Sequence, residues 1–458
     1  MPPAQLTIAG AAGGVTGSCY HLAFDGHALV IDCGTFQGGP EADQLNRRAF
    51  PFDPAVVDAL FLTHGHLDHA GRVPMLVDHG FAGPIYATSA TLDIASLIME
   101  DTVKIAAHSD GEPLYGRAAL GQTRDLMHPL GGYRAPVEVG PFTVEAFDAG
   151  HILGSSHLRV SWRDGGRERA ILFSGDIGVV GTPIIRDPTR SWEPGHDVDY
   201  VVTESTYGDR GHPDRAAAKA TFREVVQRAL HDGGKVLIPA FAIGRTQEIL
   251  YELNAMVESG EVGAIPVVVD GPLSTAATAV YRRHRGLYDD DALATLARTG
   301  HPLELDSMVL ARDGRQSAQA ADLDGPAIII AGSGMCNGGR IRGHLARFLP
   351  DARTDVLLVG YQGARTLGRA LESGAREVYL DGRQVPVRGR VTRLSGYSAH
   401  ADRDGLADWF GATPRAKGAT AIVTHGEDDA RASYAELLRD RFGVPAIVPA
   451  LDDVIPLP

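Results

Sequence analysis

The sequence predicts an α/β protein with its chemistry at strand ends, and three observations carry that prediction. Short β-rich runs recur along the 458 residues, each closing on a polar or glycine-rich group. Between them lie stretches with helical spacing of apolar residues that stop near glycine. One of the runs leads into "THGHLDH", which packs His64, His66, Asp68 and His69 into six consecutive positions. Neutral imidazoles beside a carboxylate suit a divalent ion such as zinc, and the spacing leaves open whether one ion or two is held.

In chain order, "HALVIDCG" ends on Asp32, and "VDALFLTHGHLDH" ends on the histidine cluster. "ATLDIASLIMEDTVKIAA" has the spacing of a helix. "FTVEAFDAGHILGSSH", "RAILFSGDIG" and "VDYVVTESTYGD" then deliver His151, Asp176 and Glu204. Helical stretches "RAAAKATFREVVQRALHDG" and "RTQEILYELNAMVESG" flank the run "GKVLIPAFAIG". Later come "IPVVVDGPL", "PAIIIAGSGMCNGG" and "TDVLLVGYQG". The last two runs, "VTRLSGYSAHAD" and "TAIVTHGEDD", carry His400 and His425.

Composition narrows the class. A chain of 458 residues with 44% hydrophobic content has material for two or three domains with full cores. Its start lacks a basic segment followed by an unbroken apolar one, and no stretch reaches the ~18 apolar residues of a membrane span, which predicts a cytoplasmic protein. Cys19, Cys33 and Cys336 are widely spaced and form no CxxC, so they read as buried small hydrophobes rather than a disulfide framework or zinc ribbon. A formal net charge of -14 argues against coating nucleic acid over the whole surface. Any polyanion must be held locally.

Taken in order, "THGHLDH", His151, Asp176 and His425 resemble the metallo-β-lactamase superfamily, whose fold is a four-layer αββα sandwich. The long interval between Asp176 and His425, with "TESTYG", "FAIGRTQE", "AGSGMCNGGR", "SGYSAHAD" and "VTHGE", is similar to its β-CASP branch of nucleases, in which an α/β domain is inserted. Within that branch the chain resembles bacterial and archaeal relatives of the mRNA 3′-end processing endonuclease subunit. The resemblance implies a core at 1–204 and 396–458 around a β-CASP domain at 205–395. Ribonuclease J relatives add a C-terminal domain, and the chain's end soon after His425 fits the shorter endonuclease group.

The resemblance also implies roles. His64, His66 and His151 hold one zinc; Asp68, His69 and His425 hold the other, and Asp176 bridges both, with manganese as the alternative ion. Two zinc ions, two aspartates and a bridging hydroxide sum to about +1, a cationic centre suited to a phosphodiester. His400 is the expected general acid, kept cationic by Glu204, and Asp68 belongs to the catalytic set. Asp32 matches a first motif that holds the histidine loop by hydrogen bonds. His157, His212 and His344 are read as surface or structural groups.

"AGSGMCNGGR" follows a buried strand, and its backbone N–H groups could cradle a phosphate. From Arg340 to Arg393 there are eleven Arg and no Lys against five Asp or Glu, a local excess of six positive charges. That stretch is the expected path of a polyanion, with Ser333, Asn337, Arg340, Arg365 and Ser398 as candidate substrate contacts. Arg245 opens a helix and reads as structural. Histidine at position 425 goes, within the family, with RNA-acting members. The expected activity is hydrolysis of single-stranded RNA, endonucleolytic in mode, through a metal-bridging hydroxide; a hydrolase acting on DNA or a small molecule with the same dinuclear site is the alternative. No membrane partner is expected, and the oligomeric state is open, a homodimer included.

Overall fold

The computed structural model describes residues 2–39, 41–107, 112–363 and 365–458. It divides into two units, one of Met1–Gly211 with His400–Pro458 and one of His212–Ala399. The junctions therefore fall a few residues beyond the expected 204/205 and 395/396.

Two seven-stranded sheets build the first unit. One sheet runs Val454–Leu457, Ala4–Ile8, Tyr20–Phe24, His27–Ile31, Ala59–Phe61, Ile85–Ala87 and Met127–Pro129. The other runs Ala446–Ile447, Arg415–Val423, Val198–Thr203, Arg167–Phe173, Ser156–Asp164, Phe142–Asp148 and Val137–Val139. Alternate side chains of both sheets, among them Leu22, Phe61, Leu158 and Phe173, meet in one apolar cluster. The opposite faces cannot be left wet, and each is covered by helices. Helix Ser89–Ala106 and its neighbours pack on the first sheet, and helices Arg403–Ala412 and Asp428–Phe442 on the second. The result is the four-layer αββα arrangement.

Register brings the strand ends together. Strand His27–Ile31 runs parallel to Ala59–Phe61 with Ile31 opposite Phe61, so Asp32 and Thr63 emerge side by side. Val198–Thr203 runs parallel to both Arg167–Phe173 and Arg415–Val423, with Thr203 opposite Val423. Asp176, Glu204 and His425 thus leave three adjacent strands at the same end.

The second unit is built on a six-stranded, all-parallel sheet in the order Met308–Ala311, Val267–Asp270, Ala327–Ala331, Lys235–Pro239, Asp355–Leu358 and Arg390–Arg393, with a separate antiparallel pair, Glu377–Leu380 and Arg383–Pro386. Its central strands are apolar at successive positions because both faces are buried. Ile328 and Ile330 face helices Arg215–Asp232 and Arg245–Glu258, whereas Ile329 faces helix Ile341–Phe348. Among the described residues no helix is long and apolar enough to cross a membrane. The three cysteines are free and buried.

Candidate metal centre

The "THGHLDH" segment is held from below at Thr63 and His69. Asp32, fully buried with φ +58°, accepts from the Thr63 backbone N–H at 2.8 Å and from the Thr63 hydroxyl at 2.7 Å, and pairs with His69 Nδ1 at 2.8 Å. One carboxylate therefore fixes both the loop entry and the ring that follows it. Gly34 must lack a side chain, since a Cβ there would lie 1.6 Å from the Asp68 carbonyl oxygen. This close approach seats the short helix Leu67–Ala70, which carries Asp68 and His69.

Asp176 lies at the centre of the site. Its Oδ2 is 3.4 Å from His64 Nε2 and 3.4 Å from His151 Nε2. Its Oδ1 is 3.2 Å from His69 Nε2 and 3.5 Å from His425 Nε2. On one side His66 Nδ1 faces His64 Nε2 at 3.0 Å and His151 Nε2 at 3.2 Å. On the other, His69 and His425 face each other through Nε2 at 3.3 Å, with Asp68 Oδ2 3.7 Å from His425. The seven residues fall in two ligand-type groups, His64, His66, His151 and Asp176 in one and Asp68, His69 and His425 in the other, and Asp176 also belongs to a third with Glu204 and His400.

Hydrogen bonds do not account for this packing. A neutral imidazole has one donor, yet His66 Nδ1 faces two other ring nitrogens at once. Asp176 Oδ1 is buried without a hydrogen-bond partner, an expensive arrangement unless something else satisfies it. Four donors about 2.0 to 2.1 Å from one zinc ion lie roughly 3.3 Å from one another in a tetrahedron. The observed separations of 3.0 to 3.5 Å around Asp176 match that figure, so the donor set fits zinc. Burial raises the Asp176 carboxyl, but the surrounding imidazoles, led by His425 and His69, outweigh it and hold the group well below the ordinary range. Burial holds His64 well below its ordinary value.

His400 stands beside this cluster. Its Nδ1 lies 3.2 Å from both carboxylate oxygens of Glu204 and 3.9 Å from Asp176. Burial lowers its pKa, and the charges of Glu204 and then Asp176 more than offset that, bringing it to about 9. Glu204 is itself fixed: its Oε1 accepts from the Ile177 N–H at 2.5 Å and its backbone N–H donates to Ser174 Oγ at 3.0 Å. A buried carboxylate so bound holds an imidazolium at the rim of the cluster.

Two threonines that motif reading passed over complete the frame. Thr206 places its hydroxyl 3.1 Å from His425 Nδ1, leaving Nε2 turned toward Asp176. Thr63 links Asp32 to the histidine segment. Their signals were adjacency alone, in "THGH" and "TEST".

The expected substrate contacts fare unevenly, all of them in the second unit. Arg340 does not reach outward: its guanidinium bonds Asp270 Oδ1 at 2.6 Å and the carbonyls of Ala311 and Arg312 at 3.0 Å. Ser333 spends its hydroxyl within the glycine loop on Gly338. Asn337 is exposed and accepts from the Leu367 N–H at 3.2 Å. Arg365 is exposed, and Ser398 is half-buried in the turn before His400. Arg245 is buried against Glu248 and the Tyr397 ring, a structural role. His344 is buried against Asp270 at 2.6 Å, also structural.

Comparison with known proteins follows the same layout. The profile described as "Metallo-beta-lactamase superfamily" matches residues 12–240, "Beta-Casp domain" matches 246–371, and "Zn-dependent metallo-hydrolase RNA specificity domain" matches 384–449. "Ribonuclease TTHA0252" of Thermus thermophilus is 35% identical over 429 residues, 94% of each chain. The chain belongs to the β-CASP branch of the metallo-β-lactamase superfamily. Other relatives are "Transcription termination factor FttA" of Cenarchaeum symbiosum, 32% identical over 99% of this chain and 71% of that one, and "RNase J-like protein" of Methanocaldococcus jannaschii, 29% identical over 96% of each. A crystal structure of a protein of unknown function from Enterococcus faecalis V583 shares the fold, with a TM-score of 0.59 at 13% identity over 99% of this chain and 100% of that one. As a β-CASP protein the chain is a metallo-hydrolase.

Proposed function

We propose that the chain is a zinc-dependent ribonuclease that hydrolyses phosphodiester bonds within single-stranded RNA. The observation that carries the reading is the position of Asp176, buried between two groups of ligands with one oxygen toward each. His64, His66 and His151 would hold one zinc and Asp68, His69 and His425 the other, with Asp176 shared; manganese is the alternative ion. When bound, such a pair would make hydroxide available near neutral pH and offset charge on the phosphate. His400 donates the proton that the leaving ribose oxygen needs, and Glu204 keeps it protonated for that step. Asp32 acts through His69, orienting its ring. RNA as the substrate is supported by relatives named as ribonucleases and by the segment resembling an RNA specificity domain. The endonucleolytic mode rests on the likeness to the 3′-end processing subunit.

The test is incubation with end-labelled and internally labelled single-stranded RNA, with and without chelator, for the wild type and Asp176→Ala. Internal fragments that vanish with chelator and return with zinc are expected. The variant should lose its bound metal and its cleavage together while remaining folded. Chelator-resistant cleavage, or a variant retaining two equivalents of metal and the wild-type rate, overturns the reading; release of mononucleotides alone overturns the endonucleolytic mode.

A further inference from the structure

In the second unit, the adjacent strands Lys235–Pro239 and Ala327–Ala331 run parallel with Pro239 opposite Ala331. Their chains then part: the first feeds helix Arg245–Glu258 on one face of the sheet, the second feeds helix Ile341–Phe348 on the other. Where neighbouring strands send their connections to opposite faces, an open α/β sheet has a crevice outside its carboxyl ends, the usual seat of a ligand. A third loop opens at Val359, after strand Asp355–Leu358, on the other flank of Lys235–Pro239.

Two aromatic rings are displayed there. Phe241 is 51% exposed and Tyr361 is 48% exposed. Neither packs on another aromatic ring among the described residues. Single exposed apolar side chains need no explanation. These rings differ because their backbones are fastened. Thr246 Oγ1 donates to the Phe241 carbonyl at 2.7 Å, and Gln247 Nε2 donates to that of Ala242 at 3.1 Å. Gln362, fully buried, donates through Nε2 to the carbonyls of Gly334 at 3.1 Å and Gly360 at 3.0 Å, tying the two other loops to each other. At Gly334 a Cβ would stand 3.2 Å from the Phe241 ring, so glycine lets that ring lie on bare backbone. The Arg369 guanidinium lies 5.7 Å from the Tyr361 centroid, and Arg365 is exposed in the same loop.

We propose that Phe241 and Tyr361 form a platform on which unpaired bases of the RNA stack, a reading that rests on RNA being the substrate. Exposed aromatic rings on fastened backbone, each with only two side-chain torsions, give contact area at low cost in conformational entropy. Every base has a π-face, so the platform tolerates sequence. Phosphates are not its main ligand, because its surface is aromatic and the guanidinium that lies over Tyr361, that of Arg369, is already paired with Glu372 at 2.7 Å.

The experiment measures binding of the full chain to a single-stranded RNA and to an abasic ribose-phosphate chain of equal length. The variants are Phe241→Ala, Tyr361→Ala and the conservative Phe241→Tyr and Tyr361→Phe. Each alanine variant should bind the RNA about 5- to 150-fold more weakly, the range of one lost base stack, and bind the abasic chain as the wild type does. The aromatic variants should restore RNA binding, and thermal midpoints should not move. Equal losses on both chains, or no loss on either, overturn the platform. A wild type that neither binds nor cuts RNA overturns the ribonuclease reading as well, whereas a wild type that cuts RNA beside indifferent variants overturns the platform alone.

Discussion

At His400 the chemistry asked of one side chain can be separated from metal binding. Its Nδ1 lies 3.2 Å from both Glu204 oxygens and 3.9 Å from Asp176, close enough to Asp176 and Glu204 to form a third ligand-type group, so the proposed acid role and a ligand role make opposite predictions for the metal content of a His400 variant. On the acid role, His400→Ala should lower kcat by about 100- to 10,000-fold, the scale of general acid catalysis, with two equivalents of metal retained. Metal analysis beside single-turnover kinetics checks this; loss of an ion would make His400 a ligand. Glu204 and Asp176 stood out in the sequence because each follows a strand within a short motif, whereas His400, seven residues past strand Arg390–Arg393, stood out by its motif alone. Thr206 was not, since its bond to His425 spans 219 residues and a threonine carries no signal of its own. Phe241 was not legible either, because an apolar residue after an apolar strand reads as core, and only its exposure in the folded structure says otherwise.

Among the elements, helix Arg403–Ala412 shows how the rim of the site is kept in place. Asp402 caps it by accepting from the Gly405 N–H at 2.9 Å, an interaction worth about 1 kcal/mol. Just before the cap, the Ala401 N–H donates to the Ile177 carbonyl at 2.7 Å, fixing the residue after His400. Trp409 on the same helix is fully buried and donates from its indole to His157 Nε2 at 2.9 Å. His157 in turn donates from Nδ1 to the Ser174 carbonyl at 2.5 Å, so it must be neutral, and burial lowers its pKa to about 4. An unfolded histidine titrates near 6.5, so the unfolded chain takes the proton first as pH falls. The stability held by neutral His157 is complete above about pH 6.5. It is lost toward about pH 4 at roughly 1.4 kcal/mol per pH unit, on the order of 3 kcal/mol in all. His157→Gln keeps a donor and an acceptor but does not titrate. Urea unfolding near pH 7 and near pH 5 should show the wild type losing more stability than the variant between the two; an equal loss in both would mean that this histidine is not a source of acid sensitivity. Sequence alone gave His157 a structural or surface role without choosing between them, because the Trp409 contact joins residues 252 apart.

For the whole molecule the question is how a chain of net charge -14 holds a polyanion. The local excess counted along residues 340–393 overstated the field, because charge along the chain is not charge in space. Seven of the eleven arginines, Arg340, Arg342, Arg347, Arg353, Arg369, Arg390 and Arg393, are paired with carboxylates. Three of the partners, Asp270, Asp322 and Asp232, lie outside the counted window. Arg340 and Arg365, alike in the sequence, therefore part company. Removing Arg340 leaves the fully buried Asp270 with only His344 and Ser317, so Arg340→Ala should lower stability by about 1 to 3 kcal/mol. Arg365 is exposed, and its loss should cost almost no stability. If Arg365 meets a phosphate, Arg365→Ala should flatten the dependence of log affinity for single-stranded RNA on log salt by about 0.7, and should do so for every sequence, because phosphate contacts position a strand without reading it. Titrations at several salt concentrations, beside thermal unfolding of both variants, separate the two roles. A slope changed by Arg340→Ala and not by Arg365→Ala would reverse the assignment, and would mean that the pair with Asp270 opens when RNA binds.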